Sequence, residues 1–305
     1  TINNTRYVSN ETKEKVYRAI EELGYTPDAS ARSFRTGKKK IIGFIVPDIA
    51  NKSFATMIES VEKYLSANGY QIIIANTREN MDREETNIRL LTAGLVDGLL
   101  VASTMDDFQR FDALIPAGFP VVLVDRTFDT KRFPSVSVSN FQPIYRSVCR
   151  LAGKGDKRIG MIGGLPRLSS TKERIAAYQE AVADCGLPQD DLLIRYGNSM
   201  ENSAQSCLDE LLEQKCDALV VAQGLMASET VIYLHKKGLK LGEDIDLVTF
   251  VDYDSDINYL YSNQMDCIIQ PVEKLGETAG ELILRRIETP DAPAFEQVLT
   301  STYQP

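Results

Sequence analysis

The chain has 305 residues, of which 43% are hydrophobic and 25% are charged, a composition typical of a globular protein large enough for two cores. No apolar run reaches the roughly 20 residues that a membrane-spanning helix needs, and the opening residues do not resemble a secretion signal. The net charge of −9 argues against a protein that binds nucleic acid over its whole surface. We expect a cytoplasmic protein, and we interpret the start at Thr1, without Met, as a boundary within a longer chain.

The first forty residues have a charge balance of their own. They carry nine Lys or Arg and five Asp or Glu, whereas the remaining residues carry 25 and 38. A basic segment on an acidic body is typical of a protein that meets DNA phosphates at one end, and a merely solvated segment is the alternative. Ser9 or Asn10 can cap a helix here that ends at Gly24. Its apolar side chains share one face that needs partner helices: Val16, Ala19, Ile20 and Leu23.

From Ile41 onward, short apolar strands alternate with amphipathic helices. The pattern predicts strands over 41–46, 70–75, 98–103, 121–125, 158–163, 218–223 and 246–252. It predicts a helix with Phe54, Met57, Ile58, Val61 and Leu65 on one face that Gly69 closes, further helices over 82–93, near 107–117, over 171–186 and over 202–213, and one that ends at Lys237. Repeated strand–helix units with apolar strands indicate parallel sheets covered on both faces, and the two series indicate two doubly wound α/β lobes.

Ligands of such sheets bind beyond the carboxyl ends of the strands. The polar residues that follow the predicted strands are therefore candidates for a binding site. They are Asp48 to Phe54, Thr77 to Asn80, Asp125 and Arg126, Gly163 to Ser170, Gln223, and Asp252 to Asp254.

The five cysteines are scattered, none in a Cys-x-x-Cys spacing, and His235 is the one histidine. This pattern favours reduced thiols over a disulfide framework or a zinc site. The chain also lacks a Gly-x-Gly-x-x-Gly motif after its first strand, a phosphate-binding P-loop and a Gly-x-Ser-x-Gly elbow. We therefore predict no catalytic site, no metal and no cofactor.

One long stretch carries a family resemblance: VSNETKEKVYRAIEELGYTPDASARSFRTGKKKIIGFIVPDI. It resembles the end of the headpiece, the hinge and the first core strand of the lactose/galactose repressor (LacI/GalR) family. Further blocks follow in the family's order: VDGLLV, VVLVDR, VSVSN, KRIGMIGG, SSTKERIAAY, DLVTFVDYD and IIQPVEKLGETAGELILRRI. The resemblance implies a transcriptional regulator, most simply a repressor, with the type I periplasmic-binding-protein fold. The alternatives are a solute-binding protein of a sugar transport system and an enzyme on a doubly wound scaffold.

The resemblance implies four parts. Residues 1–27 would be the remnant of an all-α, helix-turn-helix headpiece whose first two helices precede this sequence, and residues 28–40 would be the hinge helix and tether. The amino-terminal lobe would comprise 41–140 and 269–295, and the carboxyl-terminal lobe 141–268 and 296–305. A homodimer would bind a near-palindromic operator.

In the family, an apolar hinge residue enters the minor groove of the operator. By position this residue is Phe34, next to the small Ala31, although Phe34 could instead pack on its own core domain. Phosphate contacts are expected from Tyr7, Ser9, Tyr25, Arg32 and Arg35.

The resemblance places effector contacts where the sheet argument does. The expected residues are Asn51, Ser53, Phe54, Asp125, Arg126, Asn140, Ser170, Arg174, Gln223, Asp252 and Gln270. Arg174 and Asp252 match the family's ligand-clamping residues, whereas Phe54 also fits a buried helix face and Ser170 with Glu173 also reads as a capping box. Gly224 stands where the family commonly has Asp. The effector is expected to be sugar-like, with neutral sugars, sugar acids and sugar phosphates all open.

Overall fold

A computed structural model gives the structure of most of the chain. The described residues are 8–23, 38–198, 203–250, 256–261 and 263–305. The chain divides into two compact units, Thr1–Lys40 and Ile41–Pro305. Among the described residues, no helix has both the length and the apolar composition that crossing a bilayer requires.

The first unit contains helix α1, Asn10–Glu22. Ser9 is its N-cap, and the Ser9 hydroxyl accepts a hydrogen bond from the Thr12 N–H over 3.4 Å. None of the helix residues is buried, and Leu23 at its end is 80% exposed. Of its predicted apolar face, Val16 and Ile20 are half-buried, whereas Ala19 and Leu23 are exposed.

The second unit contains two six-stranded sheets among its described residues. The strands are β1 (Ile41–Val46), β2 (Gln71–Asn76), β3 (Gly98–Val101), β4 (Val121–Val124), β5 (Ser135–Ser139), β6 (Ile159–Gly163), β7 (Ile194–Tyr196), β8 (Ala218–Val221), β9 (Asp246–Phe250), β10 (Asp266–Ile269), β11 (Glu296–Thr300) and β12 (Thr302–Gln304). The first sheet has the order β11-β5-β4-β3-β1-β2 and the second the order β12-β10-β9-β8-β6-β7. Neighbouring strands run parallel, except that β12 is antiparallel to β10.

Helices connect these strands. They are α2 (Lys52–Ala67), α3 (Met81–Thr92), α4 (Phe108–Leu114), α5 (Phe141–Lys154), α6 (Ser169–Asp184), α7 (Ala204–Glu213), α8 (Gly224–Lys236), α9 (Asp256–Tyr261) and α10 (Val272–Glu288), with a short 3-10 turn at Asp191–Leu193.

Each sheet has a hydrophobic core on both faces, because successive side chains of a strand point to opposite sides. In β1, Phe44 enters one core and Ile45 the other, and in β6 Met161 and Ile162 divide in the same way. Each such side chain, once fully buried, contributes roughly 1.5–3 kcal/mol to stability. The predicted architecture of two parallel-sheet α/β lobes is confirmed.

The chain crosses between the lobes three times, after β5, after β10 and after β11. The third crossing corrects the predicted lobe boundary. The resemblance places residues 296–300 in the carboxyl-terminal lobe, but they form β11 and pair in parallel with β5, from Glu296 beside Ser135 to Thr300 beside Ser139. Residues 302–304 do join the second sheet, through β10.

Helix α10 follows the second crossing and packs on α2 of the first lobe. A Cβ atom at Gly276 would lie 2.6 Å from the Met57 carbonyl oxygen and 2.8 Å from the Ser60 Cβ. Glycine at this position therefore allows the two backbones to approach closely, which anchors α10 beside the first sheet.

Candidate functional site

The carboxyl ends of strands in both sheets meet at one cavity of about 80 Å³. A water molecule needs at least about 10–15 Å³ of such space, so the cavity can hold several waters or the polar groups of a small ligand. Nine of the residues expected from the sequence line it: Asn51, Ser53, Phe54, Asp125, Arg126, Ser170, Arg174, Gln223 and Gln270. Asp252 lies outside the described residues, and Asn140 lies elsewhere in the fold.

The loop after β1 forms one wall of the cavity. Asn51 caps helix α2, since its side-chain oxygen accepts a hydrogen bond from the Ser53 N–H over 3.0 Å. Phe54 is 7% exposed and belongs to the core of the first lobe, yet its ring also reaches the cavity. Both interpretations of Phe54 are therefore compatible with its position.

Arg126 is held by Glu79, a residue within the candidate segment Thr77 to Asn80. The Arg126 guanidinium forms two hydrogen bonds with the Glu79 carboxylate, of 2.9 and 2.6 Å, and donates to the Ser103 carbonyl over 3.3 Å. Burial opposes the charge of Arg126, but the Glu79 ion pair outweighs it and raises the pKa of Arg126. The charge of Arg126 is thus already balanced within the protein.

Asp125 directly follows β4 and faces the same cavity. Its backbone has a φ of 65°, a conformation that non-glycine residues seldom adopt outside constrained sites. Burial raises the pKa of Asp125, while Arg126 and Arg174 act in the opposite direction. The Asp125 carboxylate lies 3.9 Å from the Arg126 Nε, too far for a hydrogen bond, so its oxygens are suited to accept hydrogen bonds from a ligand.

Arg174 projects from α6 on the opposite wall and is 9% exposed. Its Nη1 donates to the Ala222 carbonyl, and its guanidinium carbon lies 4.2 Å from the centroid of the Phe250 ring. Burial lowers the pKa of Arg174, and the nearby carboxylates of Asp125 and Glu173 offset this only in part. Its Nε is buried without a hydrogen-bond partner among the described residues.

Helix starts form the rest of the second lobe's wall. Ser170 is the second residue of α6, whose N-cap is Leu168, and Gln223 is the N-cap of α8. Neither helix start has a side-chain cap. The predicted capping box of Ser170 and Glu173 is therefore wrong, because Glu173 turns to the other lobe and accepts a hydrogen bond from the Ser139 hydroxyl over 2.7 Å.

Further hydrogen bonds join the lobes around the cavity. Arg167, in the loop after β6, donates to the Thr104 carbonyl over 3.0 Å and to the Glu79 carbonyl over 3.1 Å. The Ser169 hydroxyl accepts a hydrogen bond from the Thr127 N–H over 3.1 Å. Arg167 belongs to the candidate segment Gly163 to Ser170, but a sequence alone does not reveal that its partners are carbonyl groups of the other lobe.

Asn140 has a different role from the expected effector contact. It is 1% exposed and does not line the cavity. Its side-chain oxygen accepts hydrogen bonds from the Gln270 amide over 3.2 Å and from the Ser301 hydroxyl over 2.6 Å, and its amide nitrogen donates to the Val138 carbonyl over 3.1 Å. Asn140, Gln270 and Ser301 lie at the three crossings between the lobes, so the Asn140 side chain links all three crossings by hydrogen bonds.

The expected DNA contacts lie almost wholly outside the described residues. This applies to Tyr7, Tyr25, Ala31, Arg32, Phe34 and Arg35. Ser9 is described, and its hydroxyl caps α1.

Two family models match the chain. One, described as periplasmic binding proteins and sugar binding domain of LacI family, matches residues 39–303. The other, described as bacterial regulatory proteins, lacI family, matches residues 1–28. The two matches cover the two-lobed unit and the amino-terminal segment respectively.

Curated relatives and solved structures agree with these models. The HTH-type transcriptional repressor PurR of Aliivibrio salmonicida is 30% identical, over 94% of this chain and 86% of that protein. The transcription regulator CcpA of Lactococcus lactis is 26% identical, with a TM-score of 0.78 over 87% of this chain and 97% of that one. The Lac repressor bound to ONPG has a TM-score of 0.83 over 100% of this chain and 92% of that one, but its 22% identity supports the fold alone. These relatives are named as transcriptional repressors or regulators, and the chain belongs to the LacI family of bacterial regulatory proteins.

Proposed function

We propose that this protein is a cytoplasmic transcriptional repressor whose operator binding is controlled by a small sugar-type effector in the cavity between the lobes. The observation that carries the proposal is the pair formed by Asp125 and Arg174. They lie on opposite lobes and line the same cavity, where Arg174 is buried and Asp125 is half-buried. A ligand that contacts both residues stabilises one arrangement of the lobes over others.

The chemistry of the cavity fits a polyhydroxylated ligand. A carboxylate such as Asp125 accepts hydrogen bonds from hydroxyl groups, and a guanidinium such as Arg174 donates to ligand oxygens. Gln223 and Gln270 add amide groups, and the Phe54 ring offers an apolar face for a sugar ring. Asp252 is proposed to bind hydroxyl groups as well.

Control of transcription follows from linkage between the two ligands. An effector that favours one lobe arrangement changes the affinity for DNA only if the two arrangements differ in that affinity, and DNA then changes effector affinity by the same factor. The proposed DNA-binding residues are Tyr7, Ser9, Tyr25, Ala31, Arg32, Phe34 and Arg35. A homodimer would present them to the two halves of an operator.

The test uses the protein as its gene encodes it, with an operator selected from random DNA. Operator affinity is measured by fluorescence anisotropy with and without members of a panel of sugars, sugar acids and sugar phosphates. We expect at least one compound to raise the melting temperature and to change operator affinity. A compound that binds without any effect on operator affinity would favour a solute-binding role and contradict the proposal.

Phe34 provides the test of the DNA side. If Phe34 enters the minor groove, Phe34→Ala weakens operator binding and leaves effector affinity unchanged. Tyr17→Ala, on the exposed surface of α1, is the matched aromatic control and should change operator affinity less. Equal losses in the two variants would argue against a wedge at Phe34.

A further inference from the structure

We infer that the effector is a polyhydroxy compound with an acidic group, a carboxylate or a phosphate, that binds at Arg174. The inference rests on the proposed function, because it concerns the ligand of the same cavity. It narrows the ligand from any sugar-like molecule to an acidic one.

The two arginines of the cavity differ in how their charges are balanced. Arg126 has a two-bond ion pair with Glu79. Arg174 has no carboxylate within 4.0 Å among the described residues. Its neighbour in sequence, Glu173, is engaged by the Ser139 hydroxyl and the Asn140 N–H of the chain crossing.

The remaining contacts of Arg174 leave its charge exposed to a ligand. A carbonyl oxygen and an aromatic face stabilise a guanidinium less than a carboxylate does. Its Nε has no partner in the described part of the chain, although the residue is 9% exposed. A buried cation in this state is stabilised when an anion binds beside it.

Three helix starts add positive potential at the same place. Ser170 of α6, Gly224 of α8 and Val272 of α10 line the cavity from the first turns of helices of 16, 13 and 17 residues. None of these three starts has a side-chain cap, in contrast to α2, which Asn51 caps. The Val272 N–H of α10 already donates to the Gln270 carbonyl over 2.9 Å. The other N–H groups of an uncapped first turn, and its partial positive charge, favour an anionic oxygen.

Gly224 strengthens the case because packing does not require a glycine there. A Cβ atom at this position would meet only the Phe250 carbonyl oxygen, at 3.6 Å, which is ordinary van der Waals contact. A glycine at the start of α8 instead leaves the N–H groups of its first turn open to a ligand. The Gln223 side-chain oxygen beside it is buried without a partner among the described residues.

The wall of the cavity that the first lobe forms favours hydrogen-bond donors over anions. Asp125 and Asp48 line the cavity from the first lobe, and carboxylates attract hydroxyl donors and repel anions. A ligand with hydroxyl groups at one end and an acidic group at the other therefore matches both walls. A neutral sugar would bring no anion to Arg174, which has no carboxylate partner within the described ranges.

The experiment compares matched neutral and acidic probes. Each common hexose and pentose is measured beside its aldonic acid and its terminal phosphate, at an ionic strength kept constant with NaCl, by thermal shift and calorimetry. We expect an acid to bind about tenfold or more tightly than its own neutral sugar. The aldonate and phosphate series separate the two kinds of acidic group.

Variants assign the preference to Arg174. Arg174→Gln should remove the advantage of the acid over the neutral sugar, and Arg174→Lys should retain part of it and provides a second variant if the first does not fold. Arg89→Gln is the matched control, since Arg89 is 65% exposed on α3. If a neutral sugar binds as tightly as its acid, the inference fails and the proposed function stands. If no member of the panel binds, the proposed function fails with it.

Discussion

The side-chain amide of Gln270 donates a hydrogen bond to the side-chain oxygen of Asn140 over 3.2 Å. Gln270 lines the cavity, whereas Asn140 holds the first and third chain crossings through Val138 and Ser301. A single hydrogen bond therefore connects the wall of the proposed effector site to the chain crossings between the lobes. Through this bond, a change at the cavity can alter how the lobes are held.

Asn140→Ala should destabilise the protein by about 2 kcal/mol. The substitution leaves the Ser301 hydroxyl, the Gln270 amide and the Val138 carbonyl without their partner, and a buried polar group without a partner costs about 1–3 kcal/mol. Urea unfolding measures the loss. Asn68→Ala is the control, because Asn68 donates a similar bond to the Tyr64 carbonyl at an exposed helix end. Equal losses in both variants would show that the Asn140 hydrogen bonds at the chain crossings contribute no more than an exposed helix-end bond.

Arg167→Ala should favour a more open arrangement of the lobes. The substitution removes two hydrogen bonds to carbonyl groups of the other lobe, at Thr104 and Glu79. Small-angle X-ray scattering should then give a larger radius of gyration than for the parent protein. Arg132→Ala is the matched control, because Arg132 pairs with Asp112 within the first lobe and its loss should leave the radius unchanged. An unchanged radius for Arg167→Ala would show that Arg167 does not hold the lobes together.

Glu79→Gln should destabilise the protein by about 3 kcal/mol, because it leaves the buried Arg126 without its carboxylate. Chemical denaturation measures this loss. The double variant Glu79→Gln with Arg126→Met should recover most of the stability, since it removes the unbalanced charge as well. Glu85→Gln, on the partly exposed pair with Arg110 and Arg89, should cost less than about 1 kcal/mol. A double variant no more stable than Glu79→Gln alone would contradict this explanation.

Asp156→Asn should stabilise the protein above pH 6 but not below pH 4. Burial and the neighbouring carboxylates of Asp246 and Asp217 raise the pKa of Asp156 from 3.8 to about 6. Because the folded pKa lies above the unfolded one, stability falls as the pH rises through this window. We expect a melting temperature about 2 °C higher for the variant at pH 8, measured by calorimetry. A gain of the same size at pH 3.5 would rule out titration of Asp156 as the cause.

The sequence could predict those features that depend on local patterns. The apolar strands β1 to β4, β6, β8 and β9 stand out against amphipathic helices. Asp125 and Gln223 could be recognised as site candidates because ligands bind beyond the carboxyl ends of parallel strands. The short strands β7, β11 and β12 carry mixed residues with exposed side chains, so no pattern reveals them. Their positions depend on pairing across the fold.

Side-chain partners distant in sequence were also beyond prediction. Asn140 is expected to contact the effector, but its side-chain oxygen accepts a hydrogen bond from the hydroxyl of Ser301, 161 positions away in the sequence. Arg126 was expected to bind ligand hydroxyl groups, but Glu79 balances its charge. In both cases the residue type indicated a polar role correctly, while the identity of the partner required the three-dimensional fold.

Strands β11 and β12 are separated by Ser301 alone and extend different sheets. On the ribosome, this topology reverses the order in which the lobes are completed. The lobe that begins at Ile41 is synthesised first, but it is complete only after α10 and β11 have emerged. The second lobe is synthesised later, yet once β10 has emerged it lacks only β12. Until α10 and β11 emerge, the edge of β5 and the face of α2 that pack against them are exposed on the nascent chain. Exposed strand edges and apolar surfaces promote aggregation.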